Sequence, residues 1–343
     1  MIKVMDSSDL QTALRAGSLA DLPRATLTAE VLLAPNAAGN TPLHAAARAG
    51  LLTELPPEII TAQALVVKND AGYTPLHHAA LGGHLGQIPS ALLTVEALLT
   101  RSKAGYTVFH IAADYGCLGH IPVGFLTPEV THLKTDLGNT LLHEAGEFGT
   151  LNLFPPGLIT DKLLAERNIS GETVFHVAAL NGHLGQFPPE MLTAGRLVEK
   201  TVAGDTVLHA AALGGHLEQI PATFLTRDRL VLISKSSYTV IHAAAETGQL
   251  HKIPRDQLTS DLLLTRTAHG DTPLHAAAYE GHLDQVPLHI LTAKNLTVRN
   301  YDGLTPLQTA IDRGFIAQIP ELLRPQPPGP LKIFFQRLGN TRL

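Results

Sequence analysis

A chain of 343 residues with 45% hydrophobic content is long enough for two or three domains and apolar enough to build a core, which excludes disorder for its bulk. A net charge of -5 excludes a global field that draws in nucleic acid or an anionic membrane surface. The single cysteine, Cys117, excludes an internal disulfide. The opening segment, MIKVMDSSDLQTALRAG, lacks the apolar run of a secretory leader, and no stretch approaches the ~20 apolar residues of a bilayer-spanning helix. A soluble, cytoplasmic chain with no transmembrane segment is therefore expected.

Residues 14–28, LRAGSLADLPRATLT, are a shifted echo of a phrase that recurs along the rest of the chain, and residues 1–38 are expected to form an N-terminal capping repeat. From residue 39 to about 324 the chain repeats itself. His44, His77, His110, His143, His176, His209, His242 and His275 are each 33 residues apart, and the next step lands on Gln308. Each unit is counted from a turn glycine, with Ser237 in its place once. Threonine then stands two residues on, alanine seven, glycine eleven and proline seventeen, in all nine units. The ninth is truncated. Residues 325–343 are a proline-rich linker and an apolar, basic tail, LKIFFQRL, expected to cap the last repeat, with a partner or membrane-surface segment as the alternative.

Each fixed residue predicts a local structure. Thr272 can cap a helix whose first position is Pro273, where the missing N–H costs nothing, and Gly281 can end it in the left-handed conformation. About eight helical residues are too few to be stable alone, so the units must stack, with Leu274, Leu283, Val286 and Leu291 in the apolar layer between them. Pro287 forbids a continuous helix from Leu283 and can open a new short turn. The threonines twenty-two residues after the turn glycine, Thr61 to Thr292, can cap a third short helix such as VEALLT.

The phrase G-x-T-P-L-H-x-A-A-x-x-G-H at a 33-residue period resembles the ankyrin repeat and covers most of the chain. The expected fold is all-α: an elongated ankyrin-like solenoid of stacked 33-residue helical repeats with shortened fingers and little β structure. Proline and LT occupy the second half, where the family carries an uninterrupted helix and a long finger. The resemblance implies protein binding through finger tips and the concave face of the first helices, without catalysis or cofactor.

The histidines invite a metal or general-base reading. Their position three after a capping threonine, and Gln308 in a capping-box pattern at the ninth copy, point instead to hydrogen bonding. His84, His183, His216 and His282 hold the family's Gly-His position. A basic ladder, Lys68, Arg101, Lys134, Arg167, Lys200, Arg266 and Arg299, lies four residues before the turn glycines. It reads as a phosphate track or as a solvated shoulder.

Six phenylalanines, Phe109, Phe125, Phe154, Phe175, Phe187 and Phe224, fall at core positions, whereas all six tyrosines fall at turns or first-helix ends. Exposed tyrosine is a favoured interface anchor. The expected partner site is Tyr73, Tyr106, Asp114, Tyr115, Glu147 and Phe148, with Arg101 and Lys103 at its edge; Tyr238, Glu246, Tyr279, Glu280 and Tyr301 form a second group. Repeat four breaks the pattern most, with Glu144 and Gly146 at apolar or alanine positions. The expected function is a monomeric, non-catalytic scaffold that binds an unidentified protein and no nucleic acid. A secreted effector acting on a host protein, a basic-stripe nucleic-acid binder and an enzyme remain as alternatives.

Overall fold

The threonine of each repeat stands in extended backbone, at φ -107° and ψ 167° for Thr74, and the chain turns helical at the next residue. In the computed structural model, which describes residues 7–20 and 22–324, this gives one α-helix of seven or eight residues per repeat. The series runs Pro42–Ala49, Pro75–Leu81, Val108–Asp114, Leu141–Phe148, Val174–Leu180, Val207–Gly214, Val240–Glu246, Pro273–Glu280 and Pro306–Asp312. Helix Ser7–Ala16 precedes it. Gly50, Gly149 and Gly281 close their helices in the left-handed conformation that the sequence predicts.

The second half of each repeat contains one more turn than the sequence suggests. In the second repeat, for example, the segment after the C-cap glycine winds into a 3-10 turn, Leu85–Gln87, before the proline. Pro89 then holds extended backbone at φ -52° and ψ 129°, and a second 3-10 turn, Ser90–Leu92, begins after it. Thr94 caps the short helix Val95–Leu98 by accepting from the Ala97 N–H. Proline therefore splits what could have been one helix into two 3-10 turns, at a point where its missing N–H is not needed. Among the described residues β structure is limited to two isolated bridges, Lys200 with Thr206 and Ile233 with Thr239.

The chain divides into two compact units between Ala210 and Ala211, inside helix Val207–Gly214. Within each unit, helices adjacent in sequence pack on one another. Alanines such as Ala79, Ala112 and Ala145 are fully buried and let the helices approach. Leu274, Leu283, Val286 and Leu291 are buried as expected. Phe109, Phe154, Phe175 and Phe187 also lie in the core, but Phe125 and Phe224 are only half-buried, because their 3-10 turns sit at the edge of the layer. No helix among the described residues is long and apolar enough to cross a membrane. The tail expectations for residues 325–343 lie outside the described residues.

Ser237 shows the cost of losing a turn glycine. It is the single non-glycine residue with positive φ, 59°, among the described residues. An L side chain there costs roughly 1–2 kcal/mol, partly offset by the greater freedom glycine has in the unfolded chain. Ser237→Gly is expected to raise stability by about 0.5–1 kcal/mol, read as a higher urea midpoint at unchanged slope.

Candidate partner-binding surface

The repeating histidines are buried hinges of hydrogen bonding between repeats. Thr173 N–H donates to His176 Nδ1 at 3.2 Å, and the Thr173 hydroxyl lies 2.9 Å from the same atom. His176 Nε2 reaches the Glu199 carbonyl near the end of its own repeat at 2.9 Å. His110 does the same with the Leu133 carbonyl, whereas His44, His77, His143, His242 and His275 cross into the next repeat, to the Tyr73, Tyr106, Glu172, Asp271 and Leu304 carbonyls. A backbone N–H can only donate, so Nδ1 must accept and the proton sits on Nε2. Burial reinforces this neutral tautomer, pushing His77, His110 and His242 down to about 4 against the opposing effect of the carbonyl bonds. Of the Gly-His histidines, His183 Nδ1 lies 3.2 Å from the Gly146 carbonyl, whereas His84 and His282 act by packing. The His84 and His282 rings lie over Gly50 and Gly248, so close that a Cβ there would stand 2.8 and 2.9 Å from the imidazole.

Gln308 departs from its expected role. Its N–H donates to Thr305, but its amide turns to Asp312 at 2.6 Å and does not return to the cap. A carbon occupies the place of Nδ1 in glutamine, so it does not duplicate the two-sided histidine bridge.

The basic ladder is likewise consumed between repeats. Lys68 Nζ donates to the Arg101 carbonyl at 3.0 Å, Arg101 Nη2 to the Lys134 carbonyl at 2.9 Å, and Lys134 Nζ to the Arg167 carbonyl at 3.2 Å. Arg167 reaches the Lys200 carbonyl, and Arg266 the Arg299 carbonyl, both at 2.9 Å. These five cations each satisfy a backbone oxygen one repeat further on, and Arg299 bonds the Gly303 carbonyl of its own edge, a geometry that favours the shoulder over the phosphate track.

Of the expected site residues, Tyr115 and Phe148 come together most clearly. They occupy the ends of neighbouring helices, their rings stack at 6.0 Å and 23°, and they remain 49% and 46% exposed. Tyr106 is half-buried, edge-on to His110 at 6.0 Å. Its hydroxyl is pushed up by burial first, then by Glu144, Asp114 and Glu147, which places those carboxyls around it. Tyr73 packs edge-on against His77 at 5.3 Å. Arg101 pairs with Asp136 at 3.5 Å besides its carbonyl bond, and Lys103 is exposed at the turn.

Asp114 requires a correction. The sequence places it in the expected partner site, but it is only 8% exposed, and Glu144, absent from that site, is 1% exposed. Asp114 Oδ1 and Glu144 Oε1 have no hydrogen-bond partner. Burial and then the Glu144 charge hold Asp114 well above the usual carboxylate range. Burial also raises Glu144, opposed by a hydrogen bond from Asn139. Gly146 belongs to the same adjustment, since a Cβ there would stand 3.0 Å from Val174 Cγ2. Glu144 at an apolar helix position was the available signal.

The raised acids bind protons more tightly in the fold than in the unfolded chain. Their stabilisation is complete below the ordinary carboxylate pKa and is lost as pH rises through the elevated values. Asp114→Asn, which removes one charge and can donate to Glu144, is therefore expected to raise stability at about pH 9 by on the order of 1 kcal/mol, with a smaller effect at about pH 5. Denaturant unfolding at both pH values measures the difference.

The ankyrin repeat family model matches residues 269–300, and the other repeats carry the same threonine, alanine, glycine and proline at the same spacing. No curated protein matches the chain.

Proposed function

We propose that the chain, a member of the ankyrin repeat family, is a non-catalytic scaffold that holds a partner protein against the first-helix ends of repeats three and four. Ankyrin repeats are in general protein–protein interaction modules. The observation that carries this surface is the Tyr115–Phe148 stack, two large aromatic side chains from adjacent repeats left about half exposed. Isolated exposed apolar residues are ordinary, but a stacked aromatic pair is the centre of an interface, where large rigid rings give contact area at low entropic cost. Asp114, kept protonated beneath, lowers the charge at that centre, while Glu147, Arg101 and Lys103 supply the polar rim. The scaffold acts as a cytoplasmic monomer in this reading, and buried Cys117 is directed at the Ala80 carbonyl, 3.6 Å away.

Affinity capture with the intact chain tests the surface. Truncating interface anchors of this kind costs ~2 kcal/mol or more, about thirtyfold in affinity. Tyr115→Ala with Phe148→Ala is expected to abolish capture of the native partner while leaving thermal unfolding almost unchanged. Undiminished capture by the folded double variant would place the binding surface elsewhere.

A further inference from the structure

We infer that a cavity in the second unit receives the side chain of an arginine on the partner protein, an inference that rests on the protein-binding reading above. The cavity has a volume of about 350 Å³, with Tyr238, Glu246, His269, Asp271, Tyr279 and Glu280 in its lining. That is the lower end of the ~300–1,000 Å³ range of ligand cavities, a size for one long side chain.

Charge selects the occupant. Three carboxylates line the space, and neither lysine nor arginine does. Of the lining histidines, His242 and His275 have Nε2 spent on the Asp271 and Leu304 carbonyls, and burial lowers both from the ordinary imidazole value. Two carboxylates are held in place: the Tyr238 hydroxyl donates to Glu246, and Asn300 Nδ2 donates to Asp271 Oδ1 at 2.7 Å. A fixed carboxylate with lone pairs to spare is a preorganised acceptor for N–H donors. The nearby cations are committed elsewhere. Arg266 bonds the Gly270 and Arg299 carbonyls, and Arg299 the Gly303 carbonyl.

The aromatic wall distinguishes arginine from lysine. Tyr279 is 51% exposed and already carries one guanidinium, that of Arg313, whose Cζ lies 3.9 Å from the ring centre and whose Nε donates to the Tyr279 carbonyl at 3.0 Å. Arg313 does not line the cavity. A guanidinium is planar, weakly hydrated and forked, so it can stack on tyrosine while donating to a carboxylate, which a compact ammonium does less well.

The test uses the full chain with labelled tyrosine rings, titrated by NMR with N-acetyl-arginine amide. Saturable shifts confined to Tyr238 and Tyr279 are expected. The uncharged citrulline amide is expected to bind at least about tenfold more weakly, as is the arginine amide to the Glu246→Gln, Glu280→Gln variant, provided its circular dichroism is unchanged. Equal binding of citrulline, no arginine-dependent shift, or tighter binding of spermidine, which would mark a site for free amines, each overturns the proposal. The Tyr115→Ala, Phe148→Ala chain should bind the arginine amide normally. Failure of the first surface is read by capture, and failure of the cavity by this titration.

Discussion

Lowering the pH from neutrality to about 4 is expected to unfold the chain cooperatively, with the loss of stability beginning near 6.5. His77, His110 and His242 are buried with Nδ1 against the capping threonine, whose N–H donates to it in the first two, and have values lowered from 6.5 to about 4 by burial. A base whose folded value is depressed favours the neutral form in the fold. Its contribution is complete above 6.5, shrinks as the unfolded chain takes up protons below that, and is gone once pH falls through about 4. Each of the three opposes protonation by about 3 kcal/mol, so together they rival the whole stability of a typical domain, roughly 5–15 kcal/mol. The Asp114–Glu144 pair works in the opposite direction, gaining as pH falls, but it is one pair against seven lowered ladder histidines. Circular dichroism and urea midpoints measured from neutral pH to about 4 check this, and a midpoint independent of pH across that window would refute it.

The second large effect is at a single histidine. His176→Ala leaves the Thr173 N–H and the Glu199 carbonyl without partners and opens a hole where the buried ring stood, so a loss of about 3 kcal/mol or more is expected. His176→Gln can restore one side of the bridge but not both, and is expected to lose about 1–2 kcal/mol. Denaturant unfolding of the two variants separates these values. A glutamine variant as stable as the natural chain would show that the bond to the Glu199 carbonyl contributes nothing.

The architecture was legible because each repeated residue has one local reason to be there. Threonine caps, proline at the first helical position, glycine at the end and the LT cap all reappear where the spacing puts them. The extra 3-10 turn was not legible, because sequences such as LGQ carry no periodicity over three residues. The histidine position could be read as hydrogen-bonded, but not its reach into the next repeat. That reach depends on how far stacked helices stand apart, which a single unit does not encode. The same limit hid targets of the basic ladder, such as the carbonyls one repeat away that Lys68, Arg101 and Lys134 bond. At the candidate surface, the 33-residue period was enough to bring Tyr115 beside Phe148. It was not enough to bury Asp114, since the burial comes from the neighbouring helix Leu141–Phe148 rather than from the residue's own turn.

Hydrogen exchange on the complex of the intact chain with its captured partner tests the central claim most directly. Slowed exchange relative to the free chain is expected at the first-helix ends and adjoining turns of repeats three and four, around Tyr115 and Phe148. Protection confined instead to the edge that carries Lys68, Arg101, Lys134 and Arg167, or to the proline-split turns of the second half-repeats, would contradict it.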